Sequence, residues 1–155
     1  MVRVNAGCGW DYREGWINLD LVMRPGEKRD VIADVRRLPF KDESVDHILM
    51  SHTFEHFTVE EGMEILRECW RVLKPGGFLE IVCPNAIYYA KRWLKSADDI
   101  NALHSLIGDH SLGPEFGHKM LYDPRNLPRV VESAGFKIIG VYDDVNVSVH
   151  AIKEV

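Results

Sequence analysis

The sequence has few cysteines and no long apolar run. Its three cysteines, Cys8, Cys69 and Cys83, are odd in number and far apart, so we expect neither a disulfide framework nor a paired-cysteine metal site. No apolar stretch approaches the roughly 20 residues that a transmembrane helix needs. The first residues also lack the charged and apolar segments of a signal peptide. We therefore expect a cytoplasmic protein with reduced thiols and no membrane span.

The sequence also lacks an excess of positive charge. Its 19 Lys and Arg residues are outnumbered by 24 Asp and Glu residues, which gives a formal net charge of −5 at pH 7. Domains that bind nucleic acid through its phosphates are normally strongly basic. The charge balance therefore argues against nucleic acid as the partner.

Segments typical of strands and helices alternate along all 155 residues, with no repeat or linker between them. Short apolar runs predict five buried strands, at residues 2–6, 16–21, 30–34, 45–51 and 78–83. Thr58 and Glu61 have the spacing of a capping box, which predicts a helix that ends before Lys74-Pro75-Gly76-Gly77. Three further helices are predicted to begin near Asn85, Ser96 and Asp123.

The last part of the chain predicts an antiparallel hairpin from residues 137–143 and 145–152, which are rich in β-forming residues and almost adjacent. The complete order predicts a single α/β domain over residues 1–155. We expect it to be doubly wound, with a mostly parallel seven-stranded sheet that ends in the hairpin and with helices on both faces. Such sheets bind ligands at the carboxyl ends of their strands.

Candidate binding residues follow the first four predicted strands at these carboxyl ends. The glycine turn Gly7-Cys8-Gly9 would let a ligand approach the backbone, although alone it is a weak signal. Carboxylates end the second and third strands at Asp20 and Asp34, where they could accept hydrogen bonds from ribose hydroxyls and from an adenine amino group. The three features together favour an adenosine-containing ligand.

A family resemblance extends over nearly the whole chain. The motifs are Val4-Asn5-Ala6-Gly7-Cys8-Gly9, Gly15-Trp16-Ile17-Asn18-Leu19-Asp20, Asp34-Val35-Arg36-Arg37-Leu38-Pro39-Phe40, Ser44-Val45-Asp46-His47-Ile48, Glu55-His56-Phe57 and Arg71-Val72-Leu73-Lys74-Pro75-Gly76-Gly77. In this order they resemble the motifs of small class I S-adenosylmethionine-dependent methyltransferases. The resemblance implies a Rossmann-like methyltransferase fold and transfer of a methyl group, with S-adenosylhomocysteine as product.

The resemblance also implies roles for particular residues. The cofactor's methionine part would lie against the glycine turn, its ribose against Asp20, and its adenine against Asp34 and the backbone of Val35. Its sulfonium would lie near the end of the fourth strand, where His52 is the candidate catalytic base. The full set of expected cofactor-binding residues is Asn5, Ala6, Gly7, Cys8, Gly9, Asp20, Leu21, Asp34, Val35, Arg36, Ser51 and His52.

Three features depart from the family pattern. Asn5 stands where the family commonly has a carboxylate, so the cofactor amine would meet no charge there. Only ten residues separate Gly9 from Asp20, too few for the usual first helix and strand. We also expect no segment corresponding to the family's N-terminal lid, so that substrate access would depend on the loop 109–122 or on a partner. The methyl acceptor is unidentified, with a small molecule favoured, and a homodimer or partner subunit is possible.

Two alternatives compete with an active methyltransferase. The fold could serve as a non-catalytic module that binds S-adenosylmethionine or a partner. The segment His52-Thr53-Phe54-Glu55-His56 also matches the H-x-x-E-H signature of inverted zincins, which requires both histidines on one helix. Because the helix signal begins only at Thr58, we expect no metal site here. Glu55 and His56 are instead alternatives to His52 as the base.

Overall fold

The computed structural model describes residues 1–154, and its seven strands form one sheet. Along the chain the strands are β1 (Arg3–Ala6), β2 (Ile17–Asp20), β3 (Val31–Ile32), β4 (Val45–Ser51), β5 (Leu73–Pro84), β6 (Lys137–Asp143) and β7 (Asn146–Ile152). Their order in the sheet is β3-β2-β1-β4-β5-β7-β6. The first five strands are parallel, and β7 lies antiparallel to both β5 and β6. The predicted mostly parallel sheet ending in a hairpin is confirmed.

The helices are α1 (Val59–Val72), α2 (Ala86–Lys95), α3 (Ile100–Ile107) and α4 (Asn126–Ser133). The capping box of α1 is present: the Thr58 hydroxyl accepts a hydrogen bond from the Glu61 backbone at 3.2 Å, and the Glu61 carboxylate accepts one from the Thr58 backbone at 2.9 Å. Asn85 caps α2 as predicted, accepting from the two backbone amides at residues 87 and 88. These caps satisfy amides that the first helical turn leaves without partners.

Two helix starts differ from the prediction by a few residues. Asp99, rather than Ser96, caps α3, because its carboxylate accepts the backbone amide of Ala102 at 3.0 Å. Asp123 does act as a cap, accepting the amides of Arg125 and Asn126 at 2.7 and 3.1 Å, but regular helix begins only at Asn126. In both places a turn precedes the first regular hydrogen bond of the helix.

The two faces of the sheet differ in chemistry. On one face, which we call the covered face, buried apolar side chains of β4, β5 and β7 pack in one core with those of α1 and α4; they include Ile48, Leu79, Val149, Ile65, Leu66, Leu127 and Val131. The other face, which we call the open face, carries His47, Phe78, Glu80 and His150, whose rings and carboxylate contact one another. Loops rather than helices make the connections from β1 to β4 among the described residues.

Candidate functional site

A cavity of about 330 Å³ opens at the carboxyl ends of the parallel strands. Eight of the residues that the sequence assigned to cofactor binding line it: Gly7, Gly9, Asp20, Leu21, Asp34, Val35, Arg36 and His52. They come from the ends of β1, β2 and β4 and from the loop that follows β3. The fold thus brings together residues that are far apart in the sequence, since parallel strands all end at one edge.

The glycine turn that follows β1 has a backbone that favours glycine. Gly7 has φ +74°, and a Cβ added there would overlap the side chain of Thr53. The Thr53 hydroxyl donates a hydrogen bond to the Gly7 carbonyl at 3.0 Å, and the Gly7 amide donates to the Leu19 carbonyl at 2.8 Å. The turn is therefore held tightly between β2 and the segment after β4, and it presents bare backbone to the cavity.

Asp20 lies beside this turn at the end of β2. One carboxylate oxygen accepts the Gly9 amide at 2.9 Å, and the other accepts the Val22 amide at 3.1 Å. A carboxylate has about four acceptor positions, so two hydrogen bonds leave capacity for further donors. Asp20 can therefore both shape the loop and accept hydroxyl groups of a ligand.

Asp34 is engaged by an arginine that the sequence reasoning did not pair with it. The Arg36 guanidinium donates to both oxygens of Asp34, with distances of 2.7 to 3.1 Å, and Arg36 also contacts Glu61 at 3.1 Å. Hydrogen bonding from Arg36 lowers the pKa of Asp34, against the opposing effect of burial. An adenine amino group would share this carboxylate with Arg36.

His52 stands directly after β4 in a backbone conformation that is rare for a residue with a side chain, with φ +53°. Its side chain is half exposed and lines the cavity. Nδ1 lies 3.6 Å from Oε1 of buried Glu55. The Glu55 carboxylate raises the pKa of His52, whereas burial lowers it. Backbone strain of this kind is concentrated at functional sites.

Four of the expected binding residues lie beside the cavity rather than on its lining, and Asn5 is the first of them. It is buried, and its amide nitrogen donates to the Asp11 carbonyl at 2.5 Å and to the Asn18 side chain at 3.1 Å. Asn5 therefore holds the loop between β1 and β2.

The other three are Ala6, Cys8 and Ser51. Cys8 is buried, and burial raises the pKa of its thiol to about 11, which makes it unreactive. Ala6 and Ser51 contribute backbone carbonyls that face the Thr53 hydroxyl. These residues therefore support the glycine turn from behind.

Loops complete the cavity with side chains that sequence reasoning did not single out. Arg24 stacks over the rings of Phe116 and Trp10, at 4.6 and 5.2 Å from the ring centres. Lys119 forms an ion pair with Glu61 at 3.0 Å. Phe116 and Lys119 belong to the loop 109–122 that was predicted to be functional, but no local pattern distinguished them within it.

The H-x-x-E-H segment does not form a helix. Residues 54–56 make one 3₁₀ turn, and α1 begins at Val59. His52 and His56 therefore do not lie one helical turn apart, as an inverted zincin would need. The turn does bring Glu55 and His56 close to His118 of the loop 109–122.

Part of the chain is similar to known methyltransferases. Residues 7–81, just under half of the chain, match a family described as a methyltransferase domain. A demethylmenaquinone methyltransferase of Thermotoga maritima is 35% identical over 75 residues, which cover 41% of this chain and 32% of that protein. These matches support a class I S-adenosylmethionine-dependent methyltransferase. The chain spans about one to two fifths of the length of the curated relatives that it matches.

Solved structures share the fold of this chain at low sequence identity. The 1,6-didemethyltoxoflavin-N1-methyltransferase of Burkholderia thailandensis was solved with bound 1,6-didemethyltoxoflavin and S-adenosylhomocysteine. It has a TM-score of 0.69 at 14% identity, over 99% of this chain and 71% of that protein. A chain in the complex between the Haloferax volcanii Trm112 methyltransferase activator and a methyltransferase has a TM-score of 0.68 at 15% identity, covering 99% and 83%. Within residues 1–154, no helix has the length and apolar character to cross a membrane.

Proposed function

We propose that this protein binds S-adenosylmethionine in the cavity at the carboxyl edge and transfers its methyl group to a small acceptor molecule. The observation that carries the proposal is the meeting of the Gly7 turn with Asp20 at one cavity, through the 2.9 Å hydrogen bond from the Gly9 amide. A bare backbone turn suits the methionine part of the cofactor, and the adjacent carboxylate suits ribose hydroxyls.

Methyl transfer depends mainly on aligning the acceptor atom with the methyl carbon, and less on a catalytic acid or base. A lone pair of the acceptor attacks the methyl carbon, and the electrons of the breaking carbon–sulfur bond stay on sulfur, leaving the neutral thioether S-adenosylhomocysteine. Holding the two reactants in line can contribute roughly 7–11 kcal/mol. The protein supplies this alignment by fixing the cofactor at the end of β2 and the acceptor beside His52.

His52 is the proposed base that takes the proton of a hydroxyl or amine acceptor. It lines the cavity, and the Glu55 carboxylate 3.6 Å away would stabilise the imidazolium that forms. A cavity of about 330 Å³ lies at the lower end of the range for ligand pockets, which favours a small acceptor.

The alternative is a non-catalytic module of the same fold that binds S-adenosylmethionine or a partner and has no activity of its own. Asn5 favours this alternative, because it is engaged inside the loop and offers no charge to the cofactor's amine. The structural neighbour solved with an activator shows that a protein of this fold can work with a partner.

Release of S-adenosylhomocysteine distinguishes an active methyltransferase from a non-catalytic module. We would incubate the protein with S-adenosylmethionine and panels of small phenols, alcohols, amines and carboxylates. We expect release of S-adenosylhomocysteine with one class of acceptor. In His52→Ala we expect turnover to be about a hundredfold lower than in the wild type, while the cofactor affinity stays nearly unchanged. His104→Ala, at a half-buried position on α3, is the control. Cofactor binding without release from any panel would favour the non-catalytic module.

A further inference from the structure

The side chains of Glu55, His56 and His118 meet behind the cavity. One potential ligand atom from each of Glu55, His56 and His118 lies within 4.8 Å of the others. Glu55 is only 1% exposed, whereas His56 also lines the cavity. The cluster is therefore shielded on one side and open to the cavity on the other.

The Glu55 carboxylate has no hydrogen-bond partner for either oxygen within the part of the chain that the structure describes. Nδ1 of His52 lies 3.6 Å from Oε1, which is too long for a hydrogen bond. Burying a carboxylate without partners is costly, and such groups are normally paired or bound to a metal ion. The buried, unpartnered carboxylate thus points to a cationic ligand.

Both imidazoles are oriented as metal-binding histidines commonly are. His56 Nδ1 lies 3.2 Å from the Gly117 carbonyl, and His118 Nδ1 lies 3.2 Å from the Leu106 carbonyl. Because a carbonyl can only accept, each Nδ1 carries the hydrogen and each Nε2 keeps a free lone pair. Hydrogen bonds of this kind fix the tautomer and the ring orientation of metal ligands.

Backbone hydrogen bonds hold His118 against the turn that carries Glu55. The Glu55 carbonyl accepts the amides of Lys119 and Met120, at 2.9 and 3.1 Å. The loop is further fixed by a bridge between Gly108 and Gly117. The cluster is thus built by the fold, in contrast to a chance approach of mobile surface side chains.

We propose that Glu55, His56 and His118 bind a divalent metal ion, with Zn²⁺ as the preferred ion, and that its open position takes an oxygen atom of the methyl acceptor. Two imidazole nitrogens and one carboxylate oxygen are a donor set of catalytic zinc sites, which keep a fourth position for water or substrate. Zn–N bonds of about 2.0–2.1 Å require the ligand atoms, which lie within 4.8 Å of one another, to move closer together on binding.

This site revises the expectation that the segment holds no metal. The H-x-x-E-H pattern would need His52 and His56 together on one helix. In this fold His118, from the loop 109–122, takes the place of His52 as the second imidazole beside Glu55 and His56. Metal binding does not depend on the proposed function. Only the assignment of the open position to the acceptor rests on it.

The bound ion would select an acceptor with a hydroxyl group. A metal lowers the pKa of a coordinated hydroxyl, so its proton passes to His52 at the cavity wall and the oxygen becomes the nucleophile. The oxygen–methyl bond then forms as the carbon–sulfur bond breaks. The metal is neither oxidised nor reduced, and no further reactant is needed.

Titration of the metal-free protein with Zn²⁺ tests the site, with Co²⁺ and its visible spectrum as a second probe. We expect one ion per chain, a higher thermal unfolding midpoint at saturating Zn²⁺, and at least about tenfold weaker binding in Glu55→Gln and in His118→Gln. His150→Gln is the control, because His150 faces Glu80 on the open face at 3.6 Å. Loss of binding in this control alone would place the ion at Glu80 and overturn the proposal.

Acetohydroxamate, an oxygen-donor ligand, tests the open position. We expect it to change the visible spectrum of the Co²⁺-loaded protein, and an unchanged spectrum would refute the role in acceptor binding. Failure of wild-type protein to bind either ion would refute the metal site while leaving S-adenosylmethionine titrations unaffected. Metal binding without cofactor binding would instead refute the proposed function and leave the site standing.

Discussion

The covered face of the sheet and its carboxyl edge differ in the side chains and backbone conformations that they contain. The covered face consists of apolar side chains, such as Ile48, Leu66 and Leu79, that are fully buried. The carboxyl edge contains a glycine that cannot accept a side chain, a histidine with positive φ and a buried carboxylate that has no hydrogen-bond partner within residues 1–154. The comparison indicates that stability comes mainly from the covered face, whereas the edge holds costly features of the kind that are concentrated at functional sites.

The largest effect should come from Gly7→Val, which we expect to abolish cofactor binding because the new side chain would collide with Thr53 and fill the turn. Gly76→Val is a matched control: Gly76 has φ +76°, but nothing lies within 4 Å of its Cβ position. Both variants should lose stability through backbone strain. Calorimetric titration with S-adenosylhomocysteine should show loss of binding only in Gly7→Val, and normal affinity in folded Gly7→Val would contradict the site.

Leu66→Ala should have the next largest effect, and on stability rather than binding. Leu66 is 0% exposed between α1 and the sheet, so its truncation should lower the free energy of unfolding by about 2–5 kcal/mol. Leu94→Ala, at a position that is 77% exposed, should change it little. Urea unfolding measures both. A large loss of cofactor affinity in folded Leu66→Ala would contradict the view that the covered face determines stability and the carboxyl edge determines binding.

Asp20→Ala should weaken cofactor binding by about ten- to a hundredfold, since hydrogen bonds to a charged group contribute roughly 1.5–3 kcal/mol. The substitution should also make the loops at Gly9 and Val22 less ordered, because the Asp20 carboxylate accepts hydrogen bonds from both of these amides. Asp143→Ala, an exposed change at the end of β6, is the control. Equal affinities of the two variants by calorimetry would remove Asp20 from the site.

Glu80→Gln on the open face should have the smallest effect, below about 1 kcal/mol. The imidazole of His47, 3.6 Å away, and that of the nearby His150 lower the pKa of Glu80 against the opposing effect of burial. Stabilisation from a lowered carboxyl pKa is present above the unfolded value, about 4.3, and is lost as the pH falls through the folded value.

The stability difference between wild type and Glu80→Gln should therefore shrink as the pH falls from about 5.5 to about 3. Denaturant unfolding at several pH values measures it, with Glu132→Gln, at an exposed position on α4, as the control. A difference that grows toward the acid end of this range would have the wrong sign for this account.

Local signals in the sequence predicted much of the fold. The capping box at Thr58, the cap at Asn85 and the nearly adjacent strands of the hairpin depend on neighbours within a few residues, so a sequence pattern suffices to find them. The assignment of one domain to residues 1–155, the cytoplasmic location and the absence of a nucleic-acid partner stay predictions.

The site was less predictable because its contacts join distant parts of the chain. The turn at Gly7 and the carboxylate of Asp20 could be placed at one edge from the strand order alone. In contrast, the approach of His118 to Glu55 depends on the path of a loop without periodicity. The pairing of Arg36 with Asp34 and the burial of Asn5 depend on rotamers that no spacing encodes.

The most direct test of the central claim is calorimetric titration of the purified protein with S-adenosylmethionine and S-adenosylhomocysteine, with NADH as the control ligand. The cavity at the carboxyl edge predicts saturable binding of the first two at one site per chain and no binding of NADH. Absence of binding for both adenosyl compounds in the folded protein would contradict the account.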